Sequence, residues 1–261
     1  MDRVLEAAQA IAAARRSRQR LAPLPPSIAP RSEAEGYSVQ RAVHDLLLPR
    51  TGAPIGYKIG CTSKVMQTYL NIAHPCAGGV FEKGVFDSGA RMKASNFVCP
   101  GVECEIAVTL ARDLLPSEEP FTAESVTKAI EVYAPAIEIV DDRYVNWETL
   151  GAPTLVADDF FAAACVLGAP VARTLAPDVR EVAGRALING AVAGRGLGAD
   201  VLGHPHNALA WLANHLAAEG KGLHKGQVVL TGSLIKTVWL KPGDRVVIEL
   251  AGLGNVKAEF A

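Results

Sequence analysis

Seven short runs of β-favouring residues, punctuated by glycine and proline, most constrain how this 261-residue chain can fold. The runs cover residues 55–59, 102–110, 136–140, 186–192, 228–230, 245–250 and 256–260. Within the fourth run, Asn189-Gly190 favours a hairpin, because both central residues of such a turn need positive φ. Many strands with few intervening helices predict an α+β domain built on an antiparallel or mixed sheet.

Four segments predict helices. Residues 4–18 are rich in alanine, with apolar residues at helical spacing. A second helix is predicted from the Ser32/Glu35 capping box to Leu48, where Pro49 is expected to end it. The remaining two begin near Thr122 and cover residues 205–219. We therefore expect an N-terminal helical region over residues 1–54 and a β-rich domain over residues 55–261.

Composition excludes several classes of function. The net charge of -1 gives no electrostatic reason to expect a nucleic-acid partner. The five cysteines form no C-x-x-C pair, which favours reduced thiols over disulfides or a zinc site. The charged start of the chain and the lack of a long apolar run argue against a signal peptide and a membrane partner. We expect a soluble, cytoplasmic protein.

Three glutamates stand out in two of the predicted strands. Residues 100–108 alternate strictly, so Glu103 and Glu105 share one strand face, with Cα atoms about 6.5–7 Å apart. Glu138 lies in the middle of the apolar run 134–140. Like charges side by side in a half-buried place need a cation, and carboxylates without histidine or cysteine suit Mg²⁺ or Mn²⁺. The spacing is equally compatible with a solvated face paired with lysine or arginine.

An ordered set of motifs resembles a known family, the 2-keto-4-pentenoate hydratases and 4-oxalocrotonate decarboxylases of the fumarylacetoacetate hydrolase superfamily. The similarity runs from about Gly56 to Phe260. The motifs are, in order, Gly56-Tyr57-Lys58-Ile59-Gly60 with Thr62-Ser63, Glu103-x-Glu105, residues 136–140 around Glu138, Ala157-Asp158, Gly194-Arg195-Gly196, residues 202–205 with Asn207 and 211–213, and Leu230-Thr231-Gly232-Ser233.

The resemblance implies a fold, a metal and a set of site residues. The fold would be a mixed α+β β-roll in a homo-oligomer. A Mg²⁺ or Mn²⁺ ion would be held by Glu103, Glu105 and Glu138, and Lys58 matches the active-site lysine of the family. The residues implied to contact the substrate are Thr231, Ser233 and Asp158.

The implied reaction is the hydration of a 2-hydroxy-2,4-dienoate, a small acid formed in the breakdown of aromatic compounds. Many hydratases of the family carry an aspartate as a candidate acid or base where this chain has Cys76. A thiol orients water less well than a carboxylate. His74, two residues earlier, is an alternative base because histidine titrates near neutrality.

Other activities stay open at this point. The cysteine favours a 4-oxalocrotonate-type decarboxylase, which needs no attacking water. An acylpyruvate hydrolase would share the metal site, and a non-catalytic homologue would bind an oxo-acid without turnover.

Overall fold

The computed structural model describes residues 2–261 of the chain. Across that range it contains six α-helices and fourteen β-strands. The helices are α1 (Arg3–Ser17), α2 (Glu33–Thr51), α3 (Lys64–Tyr69), α4 (Ala123–Thr127), α5 (Ala152–Ala157) and α6 (Pro205–Ala218). The strands are β1 (Pro54–Gly60), β2 (Cys76–Phe81), β3 (Val85–Asp87), β4 (Ala90–Met92), β5 (Pro100–Leu110), β6 (Ile130–Asp141), β7 (Ala162–Leu167), β8 (Val171–Ala172), β9 (Ala183–Ile188), β10 (Ala191–Leu197), β11 (Val228–Ser233), β12 (Val238–Trp239), β13 (Arg245–Leu250) and β14 (Gly254–Phe260).

A nine-stranded sheet carries the candidate site. Its main strand order is β2-β1-β11-β5-β6-β7-β3, with β12 paired to β5 and β8 paired to β6. The β1–β11 and β3–β7 pairs are parallel, and the other pairs are antiparallel. The sheet is therefore mixed, which confirms the predicted α+β class. Its two longest strands, β5 and β6, pair along their whole length and bring the acidic segments side by side.

A smaller sheet of five strands has the order β10-β9-β13-β14-β4. The predicted hairpin is present between β9 and β10, and Asn189 and Gly190 have φ angles of 52° and 85°. Both values lie in the left-handed region that this turn requires. Residues of both sheets contribute to one large apolar core, and α6 packs into the same core.

The two N-terminal helices pack against each other through a separate apolar cluster. Buried residues of α1 fall at helical spacing and meet Val39, Val43 and Leu47 of α2. Ala157 of α5 belongs to the same cluster, so the helix pair lies against α5. Within residues 2–261, no helix has both the length and the apolar character that crossing a membrane would require.

The prediction that Pro49 ends the second helix is wrong. Helix α2 continues through Pro49 to Thr51. The missing amide of Pro49 removes one bond near the helix end, while Gly52 N–H and the Thr51 hydroxyl satisfy the carbonyls of Leu48 and Leu47. The sequence also gave no prediction of α3 and α5, because six residues are too few to show a helical period.

Candidate active site

Three glutamate side chains converge on the central pair of strands. Glu103 on β5 lies directly opposite Glu138 on β6, and Glu105 lies opposite Ala136. One carboxylate oxygen from each glutamate lies within 4.8 Å of the other two. Glu105 and Glu138 are 0% and 1% exposed, whereas Glu103 is half-buried. The structure therefore brings together the three residues that the sequence analysis singled out.

Small residues on the same face make room for this cluster. Ala107, Ala134 and Ala136 lie on the glutamate side of β5 and β6. The intervening residues, such as Cys104 and Ile106, point into the main core. Strand alternation thus separates an acidic face from an apolar face in the same segment, as its sequence pattern predicted.

Several oxygens of the cluster are buried without a hydrogen-bond donor. Among residues 2–261, Glu105 Oε1 and both carboxylate oxygens of Glu138 accept no hydrogen bond. Glu105 Oε2 accepts one from Gly232 N at 2.9 Å, and the Thr237 hydroxyl donates to Glu103. Unpartnered buried acceptors are rare in folded proteins. A hard divalent cation is the ligand that three converging carboxylates fit, because such ions prefer oxygen donors.

Glu103 and Glu105 hold protons strongly when no cation is bound. The pKa of Glu103 is raised to about 7, mainly by burial and secondly by the charge of Glu138. The same two causes, together with Glu103, raise the pKa of Glu105 well above its usual value. Like charges in a desolvated place favour the neutral form. A bound cation would reverse this preference.

Lys58 extends from β1 into the cluster. Its Nζ lies 3.0 Å from Glu138 Oε1, in an ion pair whose angles do not make a hydrogen bond. The same ammonium donates to the carbonyl oxygen of Phe160 at 3.1 Å. Burial alone would lower the pKa of Lys58, but the three carboxylates outweigh it and raise the pKa. The lysine is therefore protonated at neutral pH.

The segment 231–233 borders the glutamates through its backbone. Gly232 has a φ of 117°, and a Cβ there would lie 2.6 Å from the Thr62 side chain, so only glycine fits. The hydroxyl of Thr231 donates to Ile106 O at 2.8 Å, and that of Ser233 to Cys104 O at 3.5 Å. Both hydroxyls are thus directed at β5, and their contact with a substrate stays a prediction.

Cys76 and His74 differ in their placement. Cys76 is fully buried, and burial is the main reason that the pKa of its thiol is raised far above neutrality. His74 is exposed; its Nδ1 lies 2.8 Å from Pro75 O and its Nε2 lies 3.4 Å from Glu33 Oε2. The ring also stacks on Trp211, with centroids 6.4 Å apart. These contacts do not connect His74 to Lys58 or to the cluster of Glu103, Glu105 and Glu138.

Asp158 and its neighbour Asp159 form a buried ionic network that the sequence analysis missed. The two oxygens of Asp158 contact Arg15 Nε at 2.5 Å and Arg143 Nε at 2.9 Å. Asp159 contacts Arg15 Nη2 at 2.9 Å and His44 Nε2 at 2.8 Å. Burial alone would raise the pKa of Asp159, but His44 and Arg15 outweigh it and hold the pKa well below its usual range.

One sequence signal pointed to this network. Two adjacent aspartates in an apolar segment need nearby positive charges if they are buried. The basic end of α1 supplies one of them, although a basic helix end is also explained by the helix dipole. Asp158 was predicted to bind substrate; in the structure both of its oxygens face arginines, and a substrate contact stays a prediction.

A cavity of about 210 Å³ lies beside Lys58. Lys58, Glu138 and Asp159 supply polar groups to its walls, and Val80 and Leu230 supply apolar ones. The glutamates, the lysine and an adjoining cavity together can bind a small acid and move protons to or from it.

A family model matches most of the β-rich part of the chain. Residues 87–261 match the model described as "Fumarylacetoacetate (FAA) hydrolase C-terminal". The chain belongs to this family. The match covers β5 and β6, and with them all three clustered glutamates.

Two known proteins are similar to this chain over nearly their whole length. The "2-keto-4-pentenoate hydratase 1" of Dechloromonas aromatica (strain RCB) is 35% identical over 255 residues, covering 98% of this chain and 96% of the relative. The "2-hydroxyhexa-2,4-dienoate hydratase" of Comamonas testosteroni is 36% identical over 249 residues, covering 94% and 92%.

One solved structure has nearly the same fold as this chain. It is the 4-oxalocrotonate decarboxylase of Pseudomonas putida G7, in complex with magnesium and adipate. The TM-score is 0.92 at 27% identity, covering 99% of this chain and 97% of the other. The match includes the N-terminal helices as well as the sheets.

Proposed function

We propose that this family member is a divalent-metal-dependent hydratase that adds water to a small 2-hydroxy-2,4-dienoate. The observation that carries the proposal is the cluster of Glu103, Glu105 and Glu138, with its buried oxygens that accept no hydrogen bond. The near-full-length similarity to two hydratases supports the reaction. The family resemblance further favours a role in aromatic catabolism and a cytoplasmic homo-oligomer.

In this proposal Glu103, Glu105 and Glu138 hold a Mg²⁺ or Mn²⁺ ion. Such an ion supplies positive charge that stabilises an oxyanion on the substrate. The Gly232 amide fixes Glu105 by donating to one of its oxygens, which leaves the other oxygen free. Lys58 supplies a second positive charge beside Glu138.

Lys58 is the group that we assign to proton transfer. Hydration first releases the 2-hydroxyl proton to solvent and places a proton from the lysine ammonium at the far end of the diene, which converts the dienol to an enone and leaves the lysine neutral. Water then adds in conjugate fashion: the neutral amine takes a proton from the water and becomes an ammonium again, and solvent returns a proton to the carbon next to the carbonyl. A protonated lysine held at Phe160 O can give the first proton and then serve as the base for the second step.

The remaining predicted residues take secondary parts. The Cys76 thiol keeps its proton at neutral pH because it is buried, so it does not replace a carboxylate as a base. His74 is engaged by Pro75 and Glu33. Thr231, Ser233 and Asp158 are proposed to shape the pocket for the substrate carboxylate.

A second candidate is a decarboxylase of a vinylogous 2-oxo diacid. Two observations favour it: a protonated Cys76 stands where many hydratases of the family carry aspartate, and the decarboxylase fold superposes over 99% of this chain. Such a reaction uses the same metal and lysine but no attacking water.

Product analysis distinguishes the two candidates. The protein with Mg²⁺ is incubated with 2-hydroxypenta-2,4-dienoate or with 4-oxalocrotonate, and products are identified by nuclear magnetic resonance and carbon dioxide release. We expect a 4-hydroxy-2-oxo acid from the dienoate. Carbon dioxide from the diacid, with no change of the dienoate, would assign the decarboxylase. No turnover of either would reject both.

A further inference from the structure

The turn between α5 and β7 has an unusual backbone. Asp159, Phe160 and Phe161 have φ angles of 55°, 48° and 67°. Residues with a Cβ rarely adopt this left-handed conformation, and three in succession are disfavoured unless the surroundings hold them. The turn therefore depends on contacts made by its neighbours.

Side chains from three separate parts of the chain hold the turn. Arg143 donates to the carbonyls of Asp158, Phe161 and Ala162, at 3.1–3.3 Å. Arg15 of α1 bridges the two carboxylates, with Nε on Asp158 and Nη2 on Asp159. His44 of α2 and the Gly79 amide complete the contacts of Asp159.

The strained turn holds the lysine assigned to proton transfer. The carbonyl of Phe160, between the two other strained residues, accepts from Lys58 Nζ at 3.1 Å. The only other recorded partner of this ammonium among residues 2–261 is Glu138. A shift of the turn would leave Lys58 attracted by the acidic cluster alone.

We propose that Arg15 is a positioning residue for Lys58, although it lies on the N-terminal helix, far away in sequence. Arg15 fixes the carboxylates of Asp158 and Asp159, and these hold the Phe160 carbonyl where it orients the ammonium. The N-terminal helices are thereby part of the catalytic architecture. The inference rests on the proposed role of Lys58 in the hydratase reaction.

Arginine is the residue type that this position needs. Its planar fork presents separate N–H groups, and here two of them reach two different carboxylates. Lysine would keep the charge but not this fixed two-point contact. Arg15→Lys should therefore be intermediate between the wild type and Arg15→Gln.

Kinetics on three variants test the proposal. The control is Arg16→Gln, at an exposed neighbouring position of α1. The rate constant is expressed per metal-binding site, counted by calorimetric titration, so that a loss of folded protein does not lower it. For Arg15→Gln we expect kcat to fall about 10–100-fold, with KM and metal affinity unchanged, because a misplaced catalytic group slows the chemical step. Arg15→Lys should recover part of kcat, and Arg16→Gln should match the wild type.

Two outcomes would overturn the proposal. One is an unchanged kcat per site in Arg15→Gln. The other is a parallel loss of metal affinity, which would indicate general damage to the site. If Arg15→Gln does not fold, Asp159→Asn keeps the side-chain size while weakening the ion pair. It should then lower kcat in the same direction, and an unchanged kcat would count against the proposal.

A crystal structure separates this inference from the proposed reaction. In Arg15→Gln or Asp159→Asn we expect the Phe160 carbonyl to leave its contact with Lys58 Nζ; a retained contact would contradict the positioning role. This result does not depend on turnover. A wild-type protein that converts no dienoate would therefore reject the hydratase while the structure still decides the role of Arg15.

Discussion

Glu103 and Glu138 face each other directly across the antiparallel strands β5 and β6. Like charges at such a cross-strand position destabilise a sheet. Within residues 2–261, the pair is accompanied by a third carboxylate, Glu105, and by one ammonium, that of Lys58, in an ion pair with Glu138. The cation that we propose for this site would offset the repulsion among the three carboxylates.

The first prediction concerns Glu105→Gln. The amide oxygen can still accept from Gly232 N, and the new N–H group can donate to an unpartnered Glu138 oxygen. We expect the free energy of unfolding of the metal-free protein to rise at neutral pH, because a buried glutamine is neutral without the proton that burial makes Glu105 take up. Loss of a residue that only supports a metal ligand typically lowers metal affinity about 10–100-fold. Loss of the ligand Glu105 itself should lower the affinity by more.

Denaturant unfolding and metal titration check this prediction. Glu131→Gln is the matched control, since Glu131 is an exposed residue of the same strand as Glu138. It should change neither quantity. Tight metal binding by Glu105→Gln would contradict the assignment of Glu105 as a ligand.

The second prediction concerns the pH dependence of metal binding. Because the pKa of Glu103 is about 7 and that of Glu105 is raised well above its usual value, a cation must displace protons at neutral pH. Affinity should fall about tenfold per pH unit for each displaced proton as pH decreases below 7. Calorimetry in buffers of different ionisation enthalpy measures the protons released. Affinity that is constant between pH 8 and 6 would contradict this account.

The strand pattern explains why the glutamate cluster could be predicted. Glu103 and Glu105 are two residues apart on an alternating strand, and Glu138 lies on the strand that pairs with it. Alternation is a local property that the sequence shows directly. The Arg15–Asp159 contact spans 144 residues, and no local pattern encodes such a pair. The same reason explains why the Phe160 carbonyl was missed as the partner of Lys58, since backbone atoms carry no sequence signal.

The third prediction concerns Lys58→Met. Removing the ammonium should lower kcat about 10²–10⁴-fold, the usual contribution of a general acid or base. Metal should still bind, because the three glutamates remain. Lys93→Met, at an exposed position, is the control. Full activity of Lys58→Met would reject the assigned proton transfer.

The fourth prediction concerns His206, which lies outside the site. Its Nδ1 lies 2.7 Å from the Thr127 hydroxyl and its Nε2 lies 2.8 Å from the Tyr133 hydroxyl. Burial, and next His204, lower the pKa of His206 from 6.5 to about 4. Below pH 6.5, His206 becomes protonated in the unfolded chain but stays neutral in the folded protein. The free energy of unfolding therefore decreases as pH falls from 6.5 towards 4.

Urea unfolding at pH 7.5 and pH 5 measures this effect. His206 should account for about 2 kcal/mol of the loss between the two values. His206→Gln should remove that part of the pH dependence, whereas the exposed control His224→Gln should keep it. If the free energy of unfolding changes equally with pH in the wild type and in His206→Gln, then His206 is not held neutral.

Turnover by metal-stripped protein tests the central claim most directly. The protein is offered 2-hydroxypenta-2,4-dienoate with and without Mg²⁺ or Mn²⁺, alongside Glu105→Gln, and the dienoate absorbance is followed. We predict loss of absorbance only when metal is added, and none in the variant. Equal turnover with and without metal, or full activity in Glu105→Gln, would contradict a metal-dependent hydratase centred on the three glutamates.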